Sequence, residues 1–311
     1  MHLIKRRGWE IPDREATPEH VVLNRRALVA GAAVAGAALG LLLPGAARAQ
    51  GAPRNAKYDP GRDISAERDV STYNNYYEFG LDKSIHRAAQ RLPISPWHIK
   101  IDGLVEQPRT IDFDDLMKQV SLEERVYRHR CVEGWAMTVP WTGFALRDLV
   151  RIAAPTSAAK YVVFETLADP KTMPGLRLSV IDWPYVEGVT MAEANNELAF
   201  LVTGMYGKAV PRQNGAPIRL VLPWKYGFKS VKSIVRVTFS DKRPVNSWQQ
   251  TLPNEYGFWA NVNPEVPHPR WSQATETLLG NDRRVPTRIY NGYGEQVAAL
   301  YSGMANEKLF M

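Results

Sequence analysis

The chain of 311 residues is 45% hydrophobic and 23% charged and holds nine Trp, which excludes a disordered polypeptide and leaves ample residues for one domain or two. Its formal net charge is +7, but the first 49 residues carry seven Lys/Arg and four Asp/Glu, so the remainder balances 32 basic against 28 acidic residues, a net +4. That mild excess suits an anionic cofactor and, lacking a clustered basic stripe, makes no case for nucleic acid.

Asn24-Arg25-Arg26-Ala27-Leu28-Val29 opens an Ala/Gly/Leu run that ends at Leu43, followed by Pro44-Gly45-Ala46 and the triplet Ala47-Arg48-Ala49. A charged start, a modest apolar stretch and an A-x-A site describe a removable signal over residues 1–49, and the run falls short of the roughly 20 apolar residues that span a bilayer. The adjacent arginines resemble the twin-arginine signal, although Asn24 and Leu28 stand where that pattern often has Ser/Thr and Phe. The resemblance implies export through the twin-arginine machinery of a protein already folded around its cofactor, and work in the periplasm. No later stretch is long and apolar enough to cross a membrane.

Residues 50–72, rich in Arg, Asp, Gly and Pro, read as an extended N-terminal segment. Tyr73-Asn-Asn-Tyr-Tyr-Glu-Phe-Gly80 is aromatic and amide-rich, suited either to stacking on and hydrogen-bonding a flat heterocycle or to a Tyr-rich turn on the core. Trp97 to Val105 alternates and reads as a strand, and Thr110 to Val120 as a strand end and a short helix capped by Asp112.

Val126-Tyr-Arg-His-Arg-Cys131-Val132 has strand character, which puts Tyr127, His129 and Cys131 on one face and Arg128 and Arg130 on the other. Cys131 is the only cysteine. A lone thiol in an exported protein is inert, intermolecular or chemically employed, and a buried one behaves as a small hydrophobe. As thiolate it ligates metal, and cationic surroundings favour that form. A structural zinc site needs about four protein ligands, yet the histidines are scattered, so the other ligands of any metal on Cys131 must arrive with a cofactor.

Farther along, Phe144 to Ala153 has helical spacing, Tyr161 to Thr166 is a β-branched and aromatic strand, Ile181 to Ala194 holds a turn and a short helix, and Leu198 to Thr203 is another strand. Pro211 to Lys232 is dense in both turn and basic residues. It reads as a hairpin on the Asn214-Gly215 turn, as an anion site in which Arg219 forks onto phosphate oxygens and Lys232 adds a point charge, or as both at once. Trp259 and Trp271, in a Pro- and aromatic-rich section near the C-terminus, are candidates to rim a pocket for an apolar side chain, or are ordinary core residues. With no repeats, no Gly-rich phosphate fingerprint and no Ser-His-Asp signature, the fold class is mixed α and β.

From about Tyr73 onward the chain resembles the catalytic subunits of the bacterial periplasmic protein-methionine-sulfoxide reductases, molybdopterin enzymes with a β-rich α+β, sulfite-oxidase-type fold. The resemblance rests on Tyr73 to Gly80, Arg130-Cys-Val-Glu133, Val139-Pro-Trp141, Gln213-Asn-Gly-Ala-Pro217, Pro223-Trp-Lys-Tyr-Gly-Phe-Lys229 and Pro269-Arg-Trp-Ser-Gln-Ala-Thr275. It implies one catalytic domain over 73–311 in which Cys131 is the protein ligand to molybdenum. The pterin, in its monophosphate form, would be held by Asn74, Tyr77, Glu78, Thr166, Asn214, Arg219 and the run Ser230, Val231, Lys232. The family has glycine where this chain has Ser230, a change that backbone binding tolerates.

True sulfite oxidases look like Cys-Ala-Gly-Asn after the ligand, whereas this chain reads Cys131-Val-Glu133-Gly-Trp135. An acid beside the metal repels sulfite, so the resemblance points to oxygen-atom removal from a neutral sulfoxide, with Glu133 orienting substrate or relaying protons. It further implies oxidised periplasmic proteins as substrates and a haem-containing, quinone-linked membrane subunit as electron donor. The chain ends without the extra domain through which sulfite oxidases dimerise, so a monomer is expected. The competing readings are a molybdenum reductase of small S- or N-oxides and a non-catalytic exported binding module with a merely buried cysteine.

Overall fold

A computed structural model describes residues 51–311, and the leader read at 1–49 lies outside them. Among the described residues twelve strands form two sheets, with short helices between. In the first sheet β1 (His98–Gly103) lies between β2 (Arg109–Asp112) and β10 (Ile234–Ser240), and β10 leads on to β5 (Tyr161–Thr166) and β6 (Val186–Thr190). β1 and β10 are parallel and the other neighbours antiparallel.

The second sheet is built on the eleven-residue β4 (Trp135–Ala145), whose stretch from Ala136 to Gly143 pairs with β3 (Glu123–Arg130) along one edge. β4 also pairs with β7 (Phe200–Met205) at its C-terminal half and with β11 (Thr275–Leu278) at its start. β8 (Lys208–Ala209) and β9 (Arg219–Val221) both add to β7, and β12 (Arg284–Pro286) adds to β11. Because β8 and β9 pair with β7 and not with each other, the Asn214-Gly215 turn closes no hairpin. Instead it ends a 3-10 turn, Arg212–Asn214, with Gly215 left-handed at φ 104°.

Local chemistry accounts for the helices. α1 (Glu67–Thr72) buries Val70, and α2 (Phe113–Lys118) starts where the Asp112 carboxylate accepts the Asp114 N–H at 2.8 Å, the predicted cap. α3 (Leu146–Ala153) turns Leu146, Leu149, Val150 and Ala153 inward as its spacing requires, but Phe144 and Ala145 belong to β4. α4 (Met191–Asn195) opens on a Thr190/Glu193 capping box; α5 (Ser247–Thr251) and α6 (Gly294–Val297) are short.

One apolar cluster links the sheets, with Trp141, Trp224, Phe144, Phe164 and Phe200 fully buried. Each such side chain contributes roughly 1.5–3 kcal/mol by leaving water. The stretch read as an extended segment is docked on this body. The Asn55 N–H donates to the Glu124 carbonyl at 2.8 Å, Tyr58 packs edge-on against Tyr127, the Ser65 N–H donates to the Thr138 carbonyl, and the stretch ends in α1.

Candidate active site

The end of β3 and the turn into β4 form the floor of a cavity of about 400 Å³. Strand alternation works as predicted: His129 and Cys131 face the cavity, while Arg128 and Arg130 point to the other side, where Arg128 donates to the Pro60 carbonyl and Arg130 pairs with Glu276. The arginine row therefore does little for the thiol. Burial pushes Cys131 up to about 12 and the Glu133 carboxylate adds to that rise, against smaller pulls from the Glu133 backbone, Lys83 and Arg130. Burial thus favours the protonated thiol, and a coordinating metal would displace that proton. Among the described residues no group of three His, Cys, Asp or Glu side chains is placed to hold a metal by itself.

The walls come from four parts of the chain. After α1, residues 73–78 run along one side, where Asn74 and Asn214 both donate their Nδ2 to the same carbonyl, that of Val70, at 3.1 and 3.0 Å. Their Oδ1 atoms, and that of Asn75, are buried with no hydrogen-bond partner in the protein. A buried acceptor left unpaired costs about 1–3 kcal/mol, so three around one cavity mark a place for a ligand rich in N–H groups. A pterin ring, with its amide and amino N–H donors, fits that requirement.

Glu78 is buried and accepts from Thr166 Oγ1 at 3.0 Å, and burial pushes its carboxyl up to about 6. Gly175 allows this wall to close: its N–H donates to the Glu78 carbonyl at 2.8 Å, and a Cβ there would lie 2.0 Å from the Tyr77 carbonyl oxygen.

Opposite stand the cations. Arg219 is buried, stacks over Trp141, and donates through its two terminal nitrogens to the carbonyls of Asn214 and Ser230 at 2.9 and 3.1 Å. Two of its four terminal N–H bonds hold the loop, and the rest remain for an anion. Lys232 Nζ donates to the Asn75 carbonyl at 2.7 Å, and burial with Arg219 beside it brings the ammonium down to about 7. Glu78 acts on Lys232 through space and lowers the cost of its charge, but Arg219 beside it raises that cost, so the two buried cations suit an anionic group between them.

Gly215 permits this approach, since a Cβ on it would meet the Lys232 side chain at 2.8 Å. At Ser230 the backbone N–H is already given to the Gly227 carbonyl and the hydroxyl accepts from the Leu222 N–H at 3.3 Å, so Ser230 holds the loop that presents Val231 and Lys232 to the cavity.

Glu133 lies between floor and mouth. Burial pushes its carboxyl up, but hydrogen bonds from Lys83 Nζ (2.8 Å), Trp135 Nε1 (3.0 Å) and Asn75 Nδ2 (3.2 Å) outweigh that and hold it below the usual carboxylate range. It is an ionised clamp between the cysteine turn and the 73–83 segment. At the mouth, Tyr77, Trp248, Tyr256 and Phe228 form a chain of rings with centroids 5.1–5.3 Å apart, and Trp271 and Arg270 complete the rim. Trp259 is elsewhere: it packs against Phe258 and Tyr301 in the core and donates to Glu307, so only one of the two tryptophans considered for the rim is there.

The structure thus brings Asn74, Tyr77, Glu78, Cys131, Glu133, Thr166, Asn214, Arg219, Ser230, Val231 and Lys232 around one cavity. Sequence reasoning passed over Asn75, His129, Tyr185, Trp248 and Arg270, which line it too. Asn75 was within the amide-rich run and His129 on the cysteine face, whereas isolated aromatics such as Tyr185 and Trp248 carry no local signal.

A cavity with a single thiol at its floor and an amide-and-cation wall suited to an N–H-rich ring bearing an anionic group defines an oxidoreductase of the molybdopterin-binding class. Residues 86–248 match the oxidoreductase molybdopterin-binding domain family, and the β-rich α+β, sulfite-oxidase-type fold follows. Nearly the whole chain is similar to catalytic subunits MsrP of protein-methionine-sulfoxide reductases. Identity is 50% with that of Burkholderia mallei (97% of this chain, 96% of the relative), 49% with that of Ralstonia nicotianae (98% and 97%) and 46% with that of Xanthomonas campestris pv. campestris (98% and 99%). This chain belongs to the family of protein-methionine-sulfoxide reductase catalytic subunits. Among solved structures, the sulfane dehydrogenase SoxCD of Paracoccus pantotrophus is similar at 21% identity and a TM-score of 0.43, over 55% of this chain and 43% of that one.

Proposed function

We propose that the chain reduces methionine sulfoxide residues of oxidised periplasmic proteins to methionine, at a molybdenum-pterin whose protein ligand is Cys131. The observation that carries this reading is the open cavity with Cys131 at its floor and three unpaired amide oxygens in its wall. Bound there, the group supplies a two-electron centre able to take an oxygen atom from a sulfoxide. In total a sulfoxide, two electrons and two protons give a thioether and water.

The chain's own residues bind and orient. Asn74, Asn214, Glu78 and Thr166 would hold the pterin ring, and Arg219 and Lys232 its phosphate, two cations being in keeping with the monophosphate form. Asn75 Nδ2, 3.7 Å from Cys131 Sγ, is a donor placed to steer a sulfoxide oxygen. The rings at the mouth accept the apolar methylene stem and S-methyl group of the sulfoxide side chain.

Export of the folded protein by the twin-arginine route, work in the periplasm and electrons from a haem-containing, quinone-linked membrane subunit complete the reading. The description of the relatives as catalytic subunits supports a partner. The test is viologen-driven reduction of an oxidised protein and of a free sulfoxide by the molybdenum-loaded mature enzyme, with Cys131→Ser alongside. Turnover of the oxidised protein, lost in the variant, is expected. Turnover confined to the small sulfoxide would sink the protein-repair reading.

A further inference from the structure

The motif Pro269 to Thr275 has so far contributed only Arg270 and Trp271 to the rim, yet its more buried member is Gln273, 2% exposed and outside the cavity. Gln273 Nε2 donates to the Val132 carbonyl at 2.8 Å, and the same oxygen receives Trp271 Nε1 at 2.7 Å. Gln273 Oε1 accepts from Arg130 Nη2 at 2.8 Å, and Arg130 Nη1 donates to the carbonyl of Cys131 itself. Arg130 is fully buried and fixed in turn by its ion pair with Glu276 at 3.2 Å and by Thr287 Oγ1 at 3.3 Å. The Cys131 N–H donates to the Trp135 carbonyl at 2.9 Å, and the Cys131 carbonyl also accepts the Gly134 N–H at 3.1 Å.

These bonds hold the two peptide planes that follow Cys131. With both planes fixed, the backbone dihedrals of Val132 and the direction of the Cys131 Cα–Cβ bond have little freedom, because a peptide plane rotates only about its flanking φ and ψ. A single turn with a glycine at φ 97° would not achieve that by itself, since Gly134 permits many conformations. The side-chain donors arrive from a segment some 140 residues away and are spent on the ligand turn, although charged and amide donors elsewhere in the fold serve the pterin wall.

We propose that Gln273, acting with Trp271 and Arg130, is a positioning residue that sets the orientation of the Cys131 sulfur toward the metal. The inference rests on the reading that Cys131 ligates molybdenum. Partners that orient a metal ligand change metal affinity or activity by about 10–100-fold when removed, and they do so without touching substrate. Gln273 does not line the cavity, so its removal acts on the metal centre and not on substrate binding.

The experiment uses the molybdenum-loaded enzyme and the variants Gln273→Met, similar in volume but unable to donate or accept at these sites, and Trp271→Phe, which keeps a ring and loses the N–H. Metal content, the electron paramagnetic resonance spectrum of the Mo(V) state and the kinetic constants are measured on each. For Gln273→Met the expected result is near-wild-type molybdenum, altered g values, and kcat lowered about 10-fold or more with KM unchanged. For Trp271→Phe the spectrum shifts in the same sense, whatever its KM, because that ring also faces the cavity. A wild-type spectrum and kcat in molybdenum-replete Gln273→Met overturns the proposal; if that variant does not fold, a wild-type spectrum in Trp271→Phe overturns it. Failure of the underlying reading looks different: Cys131→Ser would then retain the wild-type Mo(V) spectrum.

Discussion

At the residue scale, the site is governed by what burial does to polar groups. Asn74 and Asn214 each spend their N–H on Val70 and keep an oxygen in reserve, and Glu78, buried beside them, is a carboxyl that resists ionising. Burial pushes Glu78 up to about 6, with its own backbone N–H, Lys232 and Thr166 pulling less strongly the other way. A folded-state pKa above the ordinary 4.5 means that the stabilising contribution is complete below about pH 4.5 and is lost as pH rises through 6. The cofactor-free protein should therefore lose stability over that window, by on the order of 1–2 kcal/mol, and Glu78→Gln should flatten the slope. Chemical denaturation of both proteins at about pH 4.5 and about pH 7 measures it; equal slopes would show that Glu78 is not the responsible group.

Elements place these residues, and their junctions matter more than their interiors. β3 delivers Cys131 at the position just past its end, β5 delivers Thr166 at its last residue, and the 3-10 turn Pro174–Arg177 presses on the wall segment through Gly175. A methyl group at Gly175 has no room against the Tyr77 and Glu78 carbonyls, 2.0 and 2.8 Å away. Gly175→Ala should destabilise the protein by about 1–3 kcal/mol and loosen the 73–78 wall, so that the purified enzyme carries less molybdenum. Thermal melting and metal analysis read the two effects, and a variant matching wild type in both would show that the wall retreats without cost.

At the scale of the whole molecule, the C-terminal part of the chain closes the structure over a buried ion pair. Lys225 Nζ lies 2.5 Å from Glu193 and donates to the Trp259 carbonyl and Asn261 Oδ1, while Tyr301 donates to Glu193 and accepts from Trp224 Nε1. Lys225→Met leaves the Glu193 carboxylate buried without its cation, which costs about 3–5 kcal/mol. For a body of this size that lowers Tm by roughly 10 °C, as a calorimetric scan would register. An unmoved Tm would mean that Glu193 takes up a proton at little cost.

The chemistry was legible along the chain: a single thiol, an amide-rich run before it and a basic Gly-containing run after it are visible as residue types in order, and so are strands such as Tyr161–Thr166 and the Asp112 cap, because period-two alternation and capping are local. Tertiary structure decided the rest. β4 was missed because Pro140 and Gly143 argue locally against a strand, and pairing on both edges overrides them. The Asn214-Gly215 turn looked like a hairpin until β7 claimed both neighbours. Whether a tryptophan faces a cavity, as Trp271 does, or a core, as Trp259 does, depends on partners far away in the chain. The same holds for the state of the Cys131 thiol: local alternation already turns the neighbouring arginines away, but only burial among distant segments, with Glu133 beside it, raises its pKa. Identity is written residue by residue, whereas burial, charge state and unpaired acceptors exist only once distant segments have met.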